Sequence, residues 1–108
     1  MNIDNQNKVY DLVKKIPKGK VLTYGMIARI LNLNTPRVVG KYLHHNIDPK
    51  NIPCHRVVFS DGRLSPNYVF GGWKLQKNQL LKEGVIFFGD KVDLKKSLSN
   101  ICDPNFLE

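Results

Sequence analysis

Val9, Leu12, Val13 and Ile16 recur at the i, i+3, i+4, i+7 spacing of an amphipathic helix. That spacing predicts a helix over 5–16, with Asp4 or Asn5 available to cap its start. Pro17-Lys18-Gly19-Lys20 ends it in a turn. Thr23 is a good N-cap for a second helix, 24–31, with Ile27, Ile30 and Leu31 facing inward. Asn32-Leu33-Asn34 makes a tight connection. Thr35 caps a third helix, Pro36 takes its first position, and it runs to about His45 with Val39 and Leu43 on the inner face. Two short helices joined by so brief a turn predict a helix-turn-helix.

The pattern then changes period. Arg56-Val57-Val58-Phe59 has strand composition, Asp61-Gly62 reads as a hairpin turn and Arg63-Leu64 as the short return strand. A small β wing is therefore expected beside the helix-turn-helix. Residues 65–72 read as a loop, and 73–83 as a helix with Trp73, Leu80 and Leu81 inward and Gly84 as its stop. Val85-Ile86-Phe87-Phe88 predicts a last strand, turned by Gly89-Asp90. The tail, 93–108, is polar apart from Leu94, Leu98, Ile101 and Phe106, and is expected to be loosely packed at its end. The expected class is mainly α with a small β wing, as one domain over 1–108 without repeats or linkers.

Composition narrows this picture. A hydrophobic content of 42% over 108 residues suits one modest core and excludes a disordered chain. No apolar run is long enough for a membrane span and Met1-Asn2-Ile3-Asp4 does not open a signal peptide, so a cytoplasmic location, nucleoid-associated or nuclear, is expected. The net charge is +8, and from Leu12 to Ile47 there is no Asp or Glu. That stretch holds Lys14, Lys15, Lys18, Lys20, Arg29, Arg37 and Lys41, the one-sign footprint of a polyanion partner. Two cysteines, Cys54 and Cys102, are too few for a disulfide scaffold. Cys54, His55, His44 and His45 have no zinc-site spacing, so no metal is expected.

The chemistry concentrates in Pro53-Cys54-His55-Arg56-Val57. A thiol ionises near pH ~8.5, and its thiolate is the nucleophile. A neighbouring imidazole can take the proton, through a water where adjacent side chains point apart, and a carboxylate beyond the ring can orient it. Glu83 is the best candidate for that carboxylate, since Asp48 and Asp61 sit in turns.

Pro53-Cys54-His55-Arg56-Val57-Val58 resembles the active-site signature of the O6-alkylguanine-DNA alkyltransferases, the methylated-DNA–protein-cysteine methyltransferases. The resemblance runs from about Val9 to Val85. It includes Gly19-Lys20-Val21-Leu22-Thr23-Tyr24, Arg37-Val38-Val39-Gly40, Asn46, Asn67-Tyr68, Gly71-Gly72 and Leu80-Leu81-Lys82-Glu83-Gly84, in the family's order and spacing. It implies a winged helix-turn-helix-like catalytic domain and a monomer. Its partner would be double-stranded DNA containing O6-alkylguanine, with no cofactor, because the damaged base supplies the alkyl group.

By resemblance, Cys54 accepts that group from a flipped guanine in a single-turnover transfer, with His55 and Glu83 as the proton relay. Asn46 resembles the hinge between recognition helix and active-site loop, and Tyr24 the tyrosine that helps rotate the nucleotide and supplies a proton to the leaving guanine at N3. Arg37 resembles the finger that fills the vacated stack. Thr35, Val38, Gly40 and Lys41 fall on the DNA-facing part of the recognition helix, which in this family enters the minor groove. Tyr68, Val69 and Phe70 correspond to the loop that closes over the base.

The chain departs from the family in several places. No N-terminal domain is expected ahead of the first helix, where family members usually carry one, and the loop between Gly62 and Gly71 is longer than in many members. Lys41 and Tyr42 are larger than the residues usual there, with Lys41 able to reach a phosphate, and His44-His45 replaces an arginine-bearing segment. The short length resembles the alkyltransferase-like proteins, sensors that bind alkylated guanine and recruit excision repair but carry another residue, often tryptophan, in place of the cysteine. Cys54 and Asn46 favour the transferase. A plain winged-helix transcription factor is the third reading, disfavoured because nothing resembles a dimerisation helix or effector domain.

Overall fold

The computed structural model describes residues 3–65 and 71–99. Its elements are α1 (Ile3–Lys14), β1 (Leu22–Thr23), α2 (Tyr24–Ile30), α3 (Pro36–His44), a 3₁₀ turn (Cys54–Arg56), β2 (Val57–Val58), α4 (Gly72–Lys82), β3 (Phe87–Phe88), β4 (Lys91–Val92) and α5 (Leu94–Ser97). The architecture is mainly helical with small β elements, as the sequence implies.

Helix α1 begins earlier than its cap residues suggest. Asp4 and Asn5 lie inside it, and Asp4 instead places a negative charge in the first turn, where the helix dipole favours one. Val9, Leu12 and Val13 are buried on it, and Ile16 is buried just past its end. Helices α2 and α3 form the expected helix-turn-helix. The Thr23 hydroxyl accepts the Met26 N–H at 3.1 Å, and Asn32 takes the left-handed conformation, φ 56°, in the connection. Thr35 stands at the N-cap position of α3, but its side chain makes no capping bond; Pro36 follows in the first turn.

The strand reading needs one correction. Val57 and Val58 do form a strand, yet it pairs in parallel with β1, Leu22 with Val57 and Thr23 with Val58, not with Arg63-Leu64. The turn after it is real: the Phe59 N–H reaches the Arg63 carbonyl at 2.9 Å and the Gly62 N–H the Phe59 carbonyl at 2.9 Å. The return strand fails because Val57 and Val58 are fully buried within the protein, which favours a covered parallel neighbour over an exposed hairpin. The antiparallel hairpin is instead β3–β4, where the sequence places the last strand and its turn.

The β1–β2 pair separates two cores. Leu22 and Val57 face one, with Val9, Val13, Ile27, Val39 and Leu43. Val21 and Val58 face the other, with Leu64, Leu80, Val85 and Val92. On α4 the inward stripe is Trp73, Gln76 and Leu80; Leu81, expected inside, is 47% exposed because its position lies off that stripe. Gly84, φ 90°, ends the helix as expected. The described part of the polar tail is packed. Asp93 caps α5, Ser99 N–H donates to Val21 O at 2.8 Å, and the buried Ser97 hydroxyl accepts the Ile86 N–H at 2.9 Å. Its serines are buried because they satisfy main-chain groups, which polarity alone does not reveal.

Gly62 joins the turn to the hairpin. Its φ is +89°, its carbonyl accepts the Val92 N–H at 2.9 Å, and a Cβ there would lie 2.5 Å from Val92 O. Gly62→Ala is expected to destabilise by about 2–4 kcal/mol, from left-handed strain plus overpacking. Urea unfolding measures this, and an unchanged midpoint would show that the turn is not held against β4.

Candidate active site

Pro53 has φ −76° and ψ 70°, and the Cys54 N–H donates back to the Ile52 carbonyl at 2.7 Å. That is an inverse γ-turn centred on the proline, whose ring fixes the required φ. Cys54, 5% exposed, then opens the 3₁₀ turn. The Ile52 carbonyl has a second donor. Asn46 Nδ2 reaches it at 2.9 Å, while Asn46 Oδ1 accepts the Asp48 N–H at 2.8 Å. Asn46 is buried and its own N–H bonds to Leu43 in the last turn of α3. One side chain thus ties the end of α3 to the peptide that orients the cysteine.

Behind the turn lies Glu83, at the C-cap of α4. His55 Nε2 is 3.0 Å from Glu83 Oε2. Arg56 grips the same carboxylate with two bonds, Nε to Oε1 at 2.9 Å and Nη2 to Oε2 at 2.8 Å. Its Nη1 also donates to the Ile16 carbonyl at 2.8 Å, filling an acceptor left at the end of α1. Burial pushes the Glu83 carboxyl up, but bonds and charge from Arg56 and His55 outweigh it and hold it below the usual range. An ionised carboxylate only accepts, so Nε2 carries the ring proton and Nδ1 is left as the acceptor. Burial is the largest influence on His55 and lowers its pKa, against the opposing pull of Glu83. The ring is therefore neutral near pH ~7 and able to take a thiol proton.

A cavity of about 560 Å³ opens in front of Cys54. Tyr24 and Phe59 form one wall, their ring centroids 5.4 Å apart, because the β1–β2 register sets Thr23 beside Val58. Arg37, Gly40, Lys41 and His44 of α3 line another part. A Cβ on Gly40 would meet the Tyr24 ring at 3.9 Å. Burial, and then the charge of a Cys54 thiolate, push the Tyr24 phenol up to about 12, so it remains a hydrogen-bond donor throughout the physiological range.

Residues 4–85 match the family model for the 6-O-methylguanine DNA methyltransferase DNA binding domain. The chain belongs to this family. It is 34% identical over 110 residues to a bifunctional methyltransferase/endonuclease of Picrophilus torridus, a match covering 97% of this chain and 35% of the relative. It is 42% identical over 84 residues to a methylated-DNA–protein-cysteine methyltransferase of Methanothermobacter thermautotrophicus, covering 78% of this chain and 46% of that protein. Alkyltransferase-like protein 1 of Schizosaccharomyces pombe is 43% identical over 79 residues, 72% of this chain and 73% of its own. The crystal structure of that yeast protein with damaged DNA containing O6-carboxymethylguanine superposes with a TM-score of 0.79 at 33% identity, covering 93% of this chain and 98% of the other. The chain thus spans about a third to a half of the two methyltransferase relatives and most of the yeast protein.

In this methyltransferase-family chain, Cys54, Tyr24, Arg37, Gly40 and Lys41 surround one cavity, and His55, Glu83 and Asn46 stand around the turn that carries Cys54. Arg37, Lys41 and Thr35 are exposed, while Val38 packs partly against the first core. Tyr68, Val69 and Phe70 lie outside the described residues. Among the described residues, no group of three or more His, Cys, Asp or Glu is placed to hold a metal, and no helix is long and apolar enough to cross a membrane.

Three contributors escaped the sequence reading. Phe59 was read only as strand. Arg56 had no role beyond the motif, although a charge inside an apolar run demands a buried partner. Gln76, a polar residue on the Trp73–Leu80 stripe, donates from Nε2 to the carbonyls of His55 at 3.0 Å and Val57 at 3.2 Å; a polar residue at a core position was its signal.

Both His55 and Glu83 bind protons less readily folded than unfolded. Their stabilising contributions are full above the ordinary values of 6.5 and 4.5 and are lost as pH falls through the lowered folded values. The urea midpoint is expected to fall from pH ~7 to ~5 through His55 and further below that through Glu83. His55→Gln should flatten the first decline; a variant declining like the wild type would contradict a neutral, buried His55.

Proposed function

We propose that this chain repairs DNA by direct, stoichiometric transfer of an alkyl group from O6 of a flipped guanine to Cys54. The observation that carries the reading is the coincidence of a cysteine at a cavity of base-binding size with an imidazole–carboxylate pair directly behind its turn. The thiol proton passes to His55 Nδ1, through a water, and Glu83 stabilises the resulting imidazolium. The thiolate attacks the alkyl carbon, the C–S bond forms, and the C–O6 electron pair leaves with the guanine. Tyr24 passes its proton to N3 of the leaving guanine, and the proton held by His55 returns through solvent to the Tyr24 oxygen, so no proton is gained or lost. Protein thiol and alkylated base become thioether and guanine, so the reaction ends after one turnover.

Duplex DNA is the partner this reading requires, and the cytoplasm, nucleoid or nucleus is where the chain would meet it. Arg37 in the first turn of α3 is directed by Pro36 and stands at the cavity mouth, suited to fill the stack from which the base has left. Asn46 holds the cysteine turn against the end of α3, so contact with DNA and the position of the nucleophile are linked. Thr35, Val38, Gly40 and Lys41 complete the DNA-facing surface, and Tyr68, Val69 and Phe70 are assigned to closing over the base.

The second reading is a sensor that binds O6-alkylguanine without reacting. The near-complete structural match to alkyltransferase-like protein 1 favours it. Mass spectrometry after incubation with O6-methylguanine duplex separates the two. One methyl on Cys54 per protein, absent in Cys54→Ser, is expected; tight binding with no adduct would establish the sensor instead.

The finger role makes a separate prediction. Arg37→Ala should slow transfer from duplex DNA about tenfold or more, in line with a base-flipping cost of a few kcal/mol, while transfer from free O6-benzylguanine changes little. Equal losses on both substrates would assign Arg37 to the chemistry or the fold.

A further inference from the structure

Gln76 is fully buried at the centre of α4, and its amide is used asymmetrically. Nε2 donates to two carbonyls, those of His55 and Val57, whereas Oε1 is buried with no hydrogen-bond partner. A buried unpartnered oxygen costs on the order of 1–3 kcal/mol, so an apolar residue would serve the core better unless the donor is needed. The carbonyls it serves bracket Arg56 and close the turn carrying Cys54 and His55.

Glu83 stands seven residues further along, two helical turns and therefore on the same face. One rigid element thus holds His55 twice, by its main chain through Gln76 and by its ring through Glu83. With both ends fixed to α4, the ring is held in one orientation. The charged groups acting on the ring are Glu83 from α4 and Arg56 from its own turn.

We propose that Gln76 is a positioning residue for the reaction at Cys54: it sets the His55 ring between Glu83 and the thiol by holding the His55 main chain. This rests on the reading that the His55–Glu83 pair serves Cys54.

The test is the rate of Cys54 alkylation by iodoacetamide as a function of pH, which needs neither DNA nor a completed repair reaction. Gln76→Met keeps length and loses the donor, and removes the unpartnered oxygen as well. It is expected to melt close to the wild type while reacting about tenfold more slowly at pH ~7, with its pH–rate profile displaced to higher pH. Glu83→Gln should give a similar displacement, and the double variant little more than either alone, because both act through one ring. Gln76→Leu provides the same readout if the methionine variant does not fold. A folded Gln76 variant with the wild-type pH profile overturns the proposal while Glu83→Gln remains displaced. If Glu83→Gln is itself unchanged, the relay reading fails.

Discussion

Two rungs of parallel β pairing, Leu22 with Val57 and Thr23 with Val58, determine where everything else can go. Parallel neighbours cannot be joined by a tight turn and need a crossover connection. Here the crossover is the helix-turn-helix followed by the 46–53 loop. Helix α3 therefore returns across the face on which Cys54 emerges, and the two become parts of one supersecondary unit that lines one cavity. The same register sets the start of α2 beside the end of β2, which is why Tyr24 and Phe59 meet at one cavity wall. All four paired residues are buried, so slippage by one residue would move Val57 and Val58 into the wrong cores.

Two further attachments convert that frame into a site. Asn46 fixes the turn from the α3 side through the Ile52 carbonyl, and α4 fixes it from the other through Gln76 and Glu83. Arg56 connects the second attachment to α1 by reaching the Ile16 carbonyl. Every bond in this set ends on a main-chain group or on Glu83. Rigidity around Cys54 thus comes from backbone held by side chains of distant segments, while the cavity in front remains open to α3.

The local signals were legible because each has a local cause. Apolar spacing gave the helices, Thr23 and Pro36 marked starts, and Gly84 marked a stop, each within a residue or two of its place in the structure. The Cys54-His55 pair and its resemblance to a repair family led to Glu83, which the structure brings to 3.0 Å of the ring. Pairing was not legible. Val57-Val58 next to Asp61-Gly62 satisfies every local rule for a hairpin, and only the burial of the strand selects β1 as partner. Leu81 was misjudged, and Gln76 passed over, for a related reason. Composition favours leucine inside and glutamine outside, but the helix face is decided by where Leu80 and Trp73 must pack, and Gln76 shares their stripe. The packing of Ser97 and Ser99 likewise depends on main-chain partners that no periodicity encodes.

The charged network has both a structural and a chemical side. A buried ion pair is an expensive way to stabilise a fold, and well-packed apolar residues often do as well. Arg56 and Glu83 have a structural task, since together they tie the ends of α1 and α4 to the turn. That task is complete without histidine. The bond from His55 Nε2 to Glu83 is surplus to it, and its consequence is chemical: it assigns the ring tautomer and leaves Nδ1 as a base. On the proposed reading, that base is the group that would take the thiol proton of Cys54.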